Sequence, residues 1–450
     1  MANVASPAQQ PANTWRPAFQ RWWAQARTSF FWMFVIGFAL RAAYILLLHT
    51  YKFRTIDDHF GFGWEMGRVG RAIANGHGFS DPFDGLTGPT AWEPPLYPSV
   101  IASVFKLFGV YTKLSAIVLL LINSIFSALT SIPLFLIGRR CFGEKVAVWT
   151  AWFWTLFPYV MYWCTRWVWE TSLSALLLTT IFWLALNFEN RDGVKPWLQF
   201  GALWSIAALN SPVLVSFLPI SGLWAWYHRS KKGKSSLAGV VVASLLFLAC
   251  LTPWTIRNYR VFGQFFFVRD NFGEELRLGN GPGADGTWMY YLHPSSNLFA
   301  LRQYREYGEK AYIQMRRQQA VKYIREDWGR FAWLCTKRFI YYWDGPPRAD
   351  AWWIAQGRNS FLLATSVLLF WALGRAARKH KPGAGLFLLL FLIFPDVYYI
   401  VFPHPRYRHP LEPLIFLLGI FLISEAEVHG KPIGKIRCHS TSESLPTTKD

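Results

Sequence analysis

Phe30–His49 is an apolar run of twenty residues broken only by Arg41. A run of that length and purity suits a helix that crosses a bilayer. It exceeds the hydrophobic core of a signal peptide and has no small-residue cleavage site behind it, so it reads as a retained anchor. Further apolar segments follow at 114–137, 146–163, 171–188, 197–209, 213–227, 237–256, 361–373, 385–402 and 411–423. With the first they predict about ten transmembrane helices in an all-α integral membrane protein.

Composition agrees. The chain is 16% charged, where a soluble domain carries roughly a quarter. Its Trp 25 and Phe 38 suit the aromatic belts of a membrane interface. The formal net charge of +20 raises nucleic acid as a partner. The location of the cations argues against it, because many sit in short loops between apolar segments, as membrane topology uses them. The 5 cysteines show no CxxC spacing, which gives no zinc site or disulfide framework.

One segment decides the topology. Leu96–Phe108 is apolar but, at about 20 Å as a helix, too short to span. Taken as an interfacial helix, it leaves Arg139/Arg140/Lys145, Arg191/Lys195, His228–Lys234 and Arg375–Lys381 on one side, with both termini. Under the positive-inside rule that side is the cytoplasm. The organisation expected is a cytoplasmic basic N-terminal region (1–29) and a transmembrane region (30–256) with an outer loop at 51–113. A mainly helical extracytoplasmic segment (257–359), C-terminal transmembrane helices (360–424) and a cytoplasmic tail (425–450) follow. Within the outer segment, Asn297–Lys337 has helical spacing of aromatics among charges.

The outer loop carries the first chemistry. Asp57, Asp58 and Glu65 lie close together beside His59, and Asp58 and Glu65 share a face if the stretch is helical. Such carboxylates act as general base toward an acceptor or hold a metal; they also act simply as helix caps. Trp92-Glu93-Pro94-Pro95 is stiffened by its prolines. It serves either as a rigid helix entry or as a sugar-stacking platform (Trp92) with a polar contact (Glu93). Arg257, Asn258, Arg406, Tyr407, Arg408 and the pair Arg166/Glu170 fall on the outer side, against the positive-inside bias. Arginine forks suit phosphate; headgroup contact or pairing with Glu170 and Glu412 is the plainer alternative.

Several stretches together resemble one family: FGWEMGRVGRAIANGHGF, GPTAWEPPLYP, INSIFSALTSIPLFLIGRRCFG, PWTIRNYRVFG, LGNGP and RYRHPLEP, in that order. The chain is similar to bacterial membrane glycosyltransferases of the GT-C fold, in the glycosyltransferase family 39 group that includes dolichyl-phosphate-mannose protein mannosyltransferases and the aminoarabinose transferase of lipid A. The resemblance implies transfer of a hexosyl or pentosyl group from a polyprenyl-phosphate donor to a lipid, protein or glycan acceptor, on the outer face of a bacterial inner membrane. A first-loop acid (Asp57, Asp58 or Glu65) would be the base, and Arg257, Arg406 and Arg408 would hold the phosphate. The family's acid falls in the register of Phe60-Gly61, so which of the three acts stays open. The lysine found before the paired prolines in some relatives is Glu93 here. No cofactor is expected.

Two other readings compete. A lipid-linked saccharide transporter would use polar groups at mid-membrane, for which Arg41 and Asn210-Ser211-Pro212 are the candidates. An oligosaccharyltransferase-like enzyme would need a divalent metal.

Overall fold

The computed structural model describes residues 25–54, 59–234, 236–347 and 352–430. Asp57, Asp58, nearly all of the basic N-terminal region and most of the C-terminal tail lie outside these. The described chain is all-α, with a single isolated bridge between Ser80 and Pro89.

Among the described residues six helical stretches are long and apolar enough to cross a membrane: Phe30–Leu47, Lys113–Phe142, Thr171–Asn190, Leu237–Phe262, Trp352–Arg378 and Pro405–Ala426. About ten spans are therefore not confirmed, and proline accounts for much of the difference. The 146–163 segment divides into Glu144–Leu156 and Pro158–Arg166, and 385–402 into Ala384–Ile393 and Asp396–Ile400 after Pro395. The 213–227 segment opens with a 3₁₀ turn at Pro212–Phe217 before Leu218–Lys231. Proline donates no backbone hydrogen bond and crowds the preceding turn, so an apolar run need not be one helix. Lys195–Asn210 is continuous but has only 16 residues, about 24 Å.

Thr171–Asn190 is 78% buried and forms the centre of the bundle, whereas Leu237–Phe262 is 17% buried and turns most of its apolar surface outward. Arg41 in the first span is fully buried. Its guanidinium donates to the carbonyls of Gly37 (2.9 Å), Thr155 (3.0 Å) and Trp154 (3.2 Å) and to Ser127 Oγ (3.1 Å). It is a strut joining neighbouring helices. Asn210 Nδ2 donates to Ser174 Oγ at 3.0 Å in the same tying manner.

The basic clusters gather around shared acids at one end. Arg140 (2.7 Å) and Lys232 (3.6 Å) meet Glu189, and Lys234 meets Asp192 at 2.6 Å. Arg375 (3.0 Å) and Lys379 (2.7 Å) share Glu425.

The loops on the other side fold against one another. Leu96–Phe108 is helical with the bounds predicted and packs on Glu65–Ala74 and Lys113–Leu129. The expected helical stretch at 297–337 is Leu298–Glu326, bent at Gly308 (φ 75°), followed by Trp328–Asp344. Asn297 and Asp327 cap these helices by accepting from Ala300 N and Arg330 N.

Candidate functional site

A cavity of about 480 Å³ opens where the loops meet the helix ends. Seven separate parts of the chain line it: residues 60–66, Trp92-Glu93, Trp169-Glu170, the turn at Ser211–Ser216, Phe267–Leu278, Trp288 with His293, and Val397–Tyr407. Its lining includes the apolar side chains of Phe267, Phe272, Val397, Val401 and Phe402. It also includes four carboxyl groups (Glu65, Glu93, Glu170, Glu275) and two guanidiniums (Arg269, Arg406).

Backbone strain marks the entry of the first acid. His59 (φ 56°) and Trp64 (φ 46°) adopt the left-handed region without being glycine, and Gly63 between them has φ 90°. A Cβ at Gly63 would lie 2.3 Å from Val168 O. Strain of this kind persists where the surroundings over-determine the backbone. It brings Glu65, the first residue of the Glu65–Ala74 helix, to the cavity wall. Ser295 Oγ donates to Glu65 Oε1 at 3.0 Å, and His293 Nε2 stands 3.7 Å from the same oxygen.

The Thr90–Glu93 strip is clamped from several sides. Glu309, buried, accepts from Thr90 Oγ1 and from Ala91 N (2.6 Å). Arg257 Nη1 donates to Thr90 O (2.7 Å), Arg269 Nε to Trp92 O (3.1 Å), and Asp270 N to Ala91 O (3.1 Å). Glu93 is thereby set into the cavity, 6% exposed, with Oε2 unpartnered. Burial pushes its carboxyl up to about 8; Arg269 opposes the shift and Glu65 and Glu170 add to it. Trp92 is 2% exposed and packs edge-on against Phe83 (4.8 Å) and Tyr304 (6.0 Å), so it is a wall of the cavity.

Arg269 reaches Glu275 at 3.5 Å. Burial works against its charge, but the carboxylates of Glu93 and Glu275 outweigh it and hold the guanidinium above its usual value. Arg406 lies over the Trp169 ring at 3.9 Å, with Nε buried and unpartnered. Glu170 Oε2 and Ser216 Oγ are likewise buried without partners. Tyr407 stacks on Tyr398 at 4.4 Å. His404 is held down to about 3 by burial and by the Arg406 and Arg358 cations, which keeps it neutral. Unpartnered charged atoms around a cavity are unusual in a folded protein and suit a polar, charged ligand.

The structure therefore brings Glu65, Trp92, Glu93, Glu170, Arg406 and Tyr407 to one cavity. It places the other described candidates elsewhere. His59 stacks on Tyr111 at 3.8 Å. Arg166 is exposed and donates to Tyr44 Oη at 3.2 Å. Arg257 spends its donors on Thr90 O and Phe79 O (both 2.7 Å), and Asn258 is buried beneath it, accepting from its Nη1 at 3.0 Å. Arg408 is fully buried and donates to Trp343 O (3.1 Å), Leu362 O (3.0 Å), Ser366 Oγ (2.9 Å) and Thr365 Oγ1 (2.6 Å). Sequence reasoning missed Arg269, Glu275, His293 and Ser295. The outer-face arginine argument applied to Arg269 as much as to Arg257, but the other three carry no comparable signal. Among the described residues no three His, Cys, Asp or Glu side chains form a group suited to a metal ion.

These features define an integral membrane protein of the GT-C fold with a buried, doubly charged cavity at one end of its bundle. Residues 92–256 match the model of the dolichyl-phosphate-mannose-protein mannosyltransferase family, which bears out the resemblance over that stretch. Among solved structures, the archaeal oligosaccharyltransferase AglB from Archaeoglobus fulgidus superposes with a TM-score of 0.51 at 13% identity. The alignment covers 91% of this chain and 51% of that one, so the chain spans about half the length of that protein. ArnT from Cupriavidus metallidurans, bound to undecaprenyl phosphate, aligns at 13% identity with a TM-score of 0.34, over 82% of this chain and 74% of ArnT. No curated protein matches by sequence.

Proposed function

We propose that this chain is a membrane glycosyltransferase that moves a sugar from a polyprenyl-phosphate donor to a lipid, protein or glycan acceptor. The observation that carries the reading is the cavity itself, which holds Glu65 together with Arg269 and Arg406. Glu65 takes the proton from the acceptor hydroxyl or amine as its oxygen or nitrogen attacks the anomeric carbon. The bond from that carbon to the phosphate oxygen breaks, its electrons leave with the polyprenyl phosphate, and the two guanidiniums hold the departing charge. Arg269 takes the phosphate role that the resemblance implied for Arg257 and Arg408, whose donors are committed to main-chain and hydroxyl oxygens. The apolar side chains of Phe267, Phe272, Val397 and Val401 in the lining suit the lipid end of such a donor.

Two further points support the reading. The matched family acts with a dolichyl-phosphate sugar by its name, and the archaeal neighbour was solved with a dolichol-phosphate. The basic clusters around Glu189 and Glu425 sit at the far end of the bundle, which favours an outer-face cavity in a bacterial inner membrane. The polar groups a transporter would use at mid-membrane, Arg41 and Asn210, are instead ties between helices.

The test is a deletion strain whose polyprenyl-phosphate sugars and glycans are followed by mass spectrometry. The wild-type gene should clear the accumulated lipid-linked sugar and Glu65→Gln should not. Clearance by Glu65→Gln together with failure of Asp57→Asn or Asp58→Asn would move the base to the aspartates. The reaction as written uses no divalent metal, and transfer by purified protein in a strong chelator checks that.

A further inference from the structure

His293 lies in the second outer segment, far along the chain from Glu65, yet its ring faces that carboxylate. The ring is caged. It stacks on Trp64 (5.9 Å, 18°) and meets Phe83 (5.6 Å), Trp92 (5.7 Å) and Trp288 (6.2 Å) at their edges. Its Nδ1 accepts the backbone N–H of Ser295 at 3.2 Å. A ring nitrogen that accepts cannot carry a proton, so the neutral imidazole holds its proton on Nε2, the atom that faces Glu65 Oε1 at 3.7 Å. Burial, with Arg68 and Arg316 nearby, pulls the ring down to about 4 against the opposing pull of Glu65, so it stays neutral at physiological pH. Ser295 completes the arrangement. Arg68 Nη1 donates to its hydroxyl oxygen (2.9 Å), which leaves the hydroxyl proton for Glu65 Oε1 (3.0 Å).

We infer that His293 and Ser295 are positioning residues for Glu65: a hydroxyl that donates to the carboxylate and a caged N–H that faces it, both supplied by the second outer segment, which together aim it into the cavity. The inference rests on the reading of Glu65 as the base. A protonated Nε2 has no lone pair to offer, so His293 does not relay the proton onward. The proton taken by Glu65 must leave through the cavity. The other titratable groups facing Glu65 are the carboxyls of Glu93 and Glu275 across the cavity, with the Arg68 cation on its own helix and the Arg316 cation behind His293.

The experiment is pH-difference infrared spectroscopy on the purified full chain in nanodiscs. The carboxyl band absent from Glu65→Gln identifies Glu65. In His293→Phe, which keeps a ring in the cage and removes the donor, the titration midpoint of that band should rise by about one pH unit. It should return in His293→Gln, whose amide donates. Ser295→Ala should move the midpoint the same way and guards against a misfolded His293→Phe. A midpoint that stays put in both variants overturns the inference. It does so independently of the deletion-strain result, because loss of clearance in Glu65→Gln tests the base and not what positions it.

Discussion

The guanidinium of Arg406 lies 3.9 Å from the centroid of the Trp169 ring, and its Nε makes no hydrogen bond. A guanidinium held over an indole face is oriented by the ring rather than by a hydrogen bond from its Nε. Arg408, two residues on, also leaves its Nε without a hydrogen bond, but its Nη1 and Nη2 are turned onto carbonyl and hydroxyl oxygens.

These neighbours should separate function from stability. Arg406→Ala is expected to fold and to bind polyprenyl phosphate roughly tenfold or more weakly. Arg406→Lys should recover little, since an ammonium neither stacks nor forks. Arg408→Ala should instead lower thermal stability, by about 2–4 kcal/mol. Ligand binding and thermal unfolding of both variants in the same detergent distinguish the two.

Glu93 should govern the alkaline side of the pH profile. Burial holds its carboxyl up to about 8, so it is neutral below that pH and ionised above it. Ionisation places a further negative charge beside Glu65 and Glu170 and opposite an anionic donor. Transfer should therefore fall as pH rises through about 8, and Glu93→Gln, neutral throughout, should keep its activity across that range. A wild-type alkaline limb unchanged in Glu93→Gln would falsify the assignment.

Glu309 should matter although it does not line the cavity. Its carboxylate accepts from Thr90 Oγ1, Ala91 N and Tyr304 Oη. Glu309→Ala leaves buried donors unmet, at about 1–3 kcal/mol each. The expected outcome is a lower unfolding temperature, with proteolysis appearing between Phe79 and Glu93 before the rest of the chain.

Gly63 should tolerate no side chain. Its φ of 90° and the approach of Val168 O leave no room for a Cβ. Gly63→Ala is expected to cost about 1–3 kcal/mol and to move Trp64 and Glu65. Loss of clearance in the deletion strain at normal protein abundance is the readout.

Much of the frame was legible in the sequence. Leu96–Phe108, the anchor at Phe30 and the capped helix after Asn297 follow from apolar length and spacing. The count of spans was not, because hydropathy averages over Pro158, Pro212 and Pro395 while the backbone does not. The cavity was half legible. Glu65 and Glu93 stand out as acids of a long, stiff loop, and Glu170 and Arg406 as parts of cationic turns that run against the positive-inside bias. Ser295 meets Glu65 across 230 residues, and no local pattern announces such a contact. HPRYRHP is nearly symmetrical about Tyr407, so nothing in it says which arginine turns inward.

The family match ends at residue 256, and the cavity does not. Trp92, Glu93, Trp169, Glu170 and the Ser211–Ser216 turn fall within the matched stretch; Arg269, Glu275, His293 and Arg406 come after it. The matched stretch thus covers only part of the cavity lining, with Glu65 before it and the cationic residues after it. Chimeras joined where the match ends would exchange the cationic part of the lining between relatives while leaving Glu65 and its loop in place. Under the proposed function, donor preference and proton abstraction would then be inherited separately.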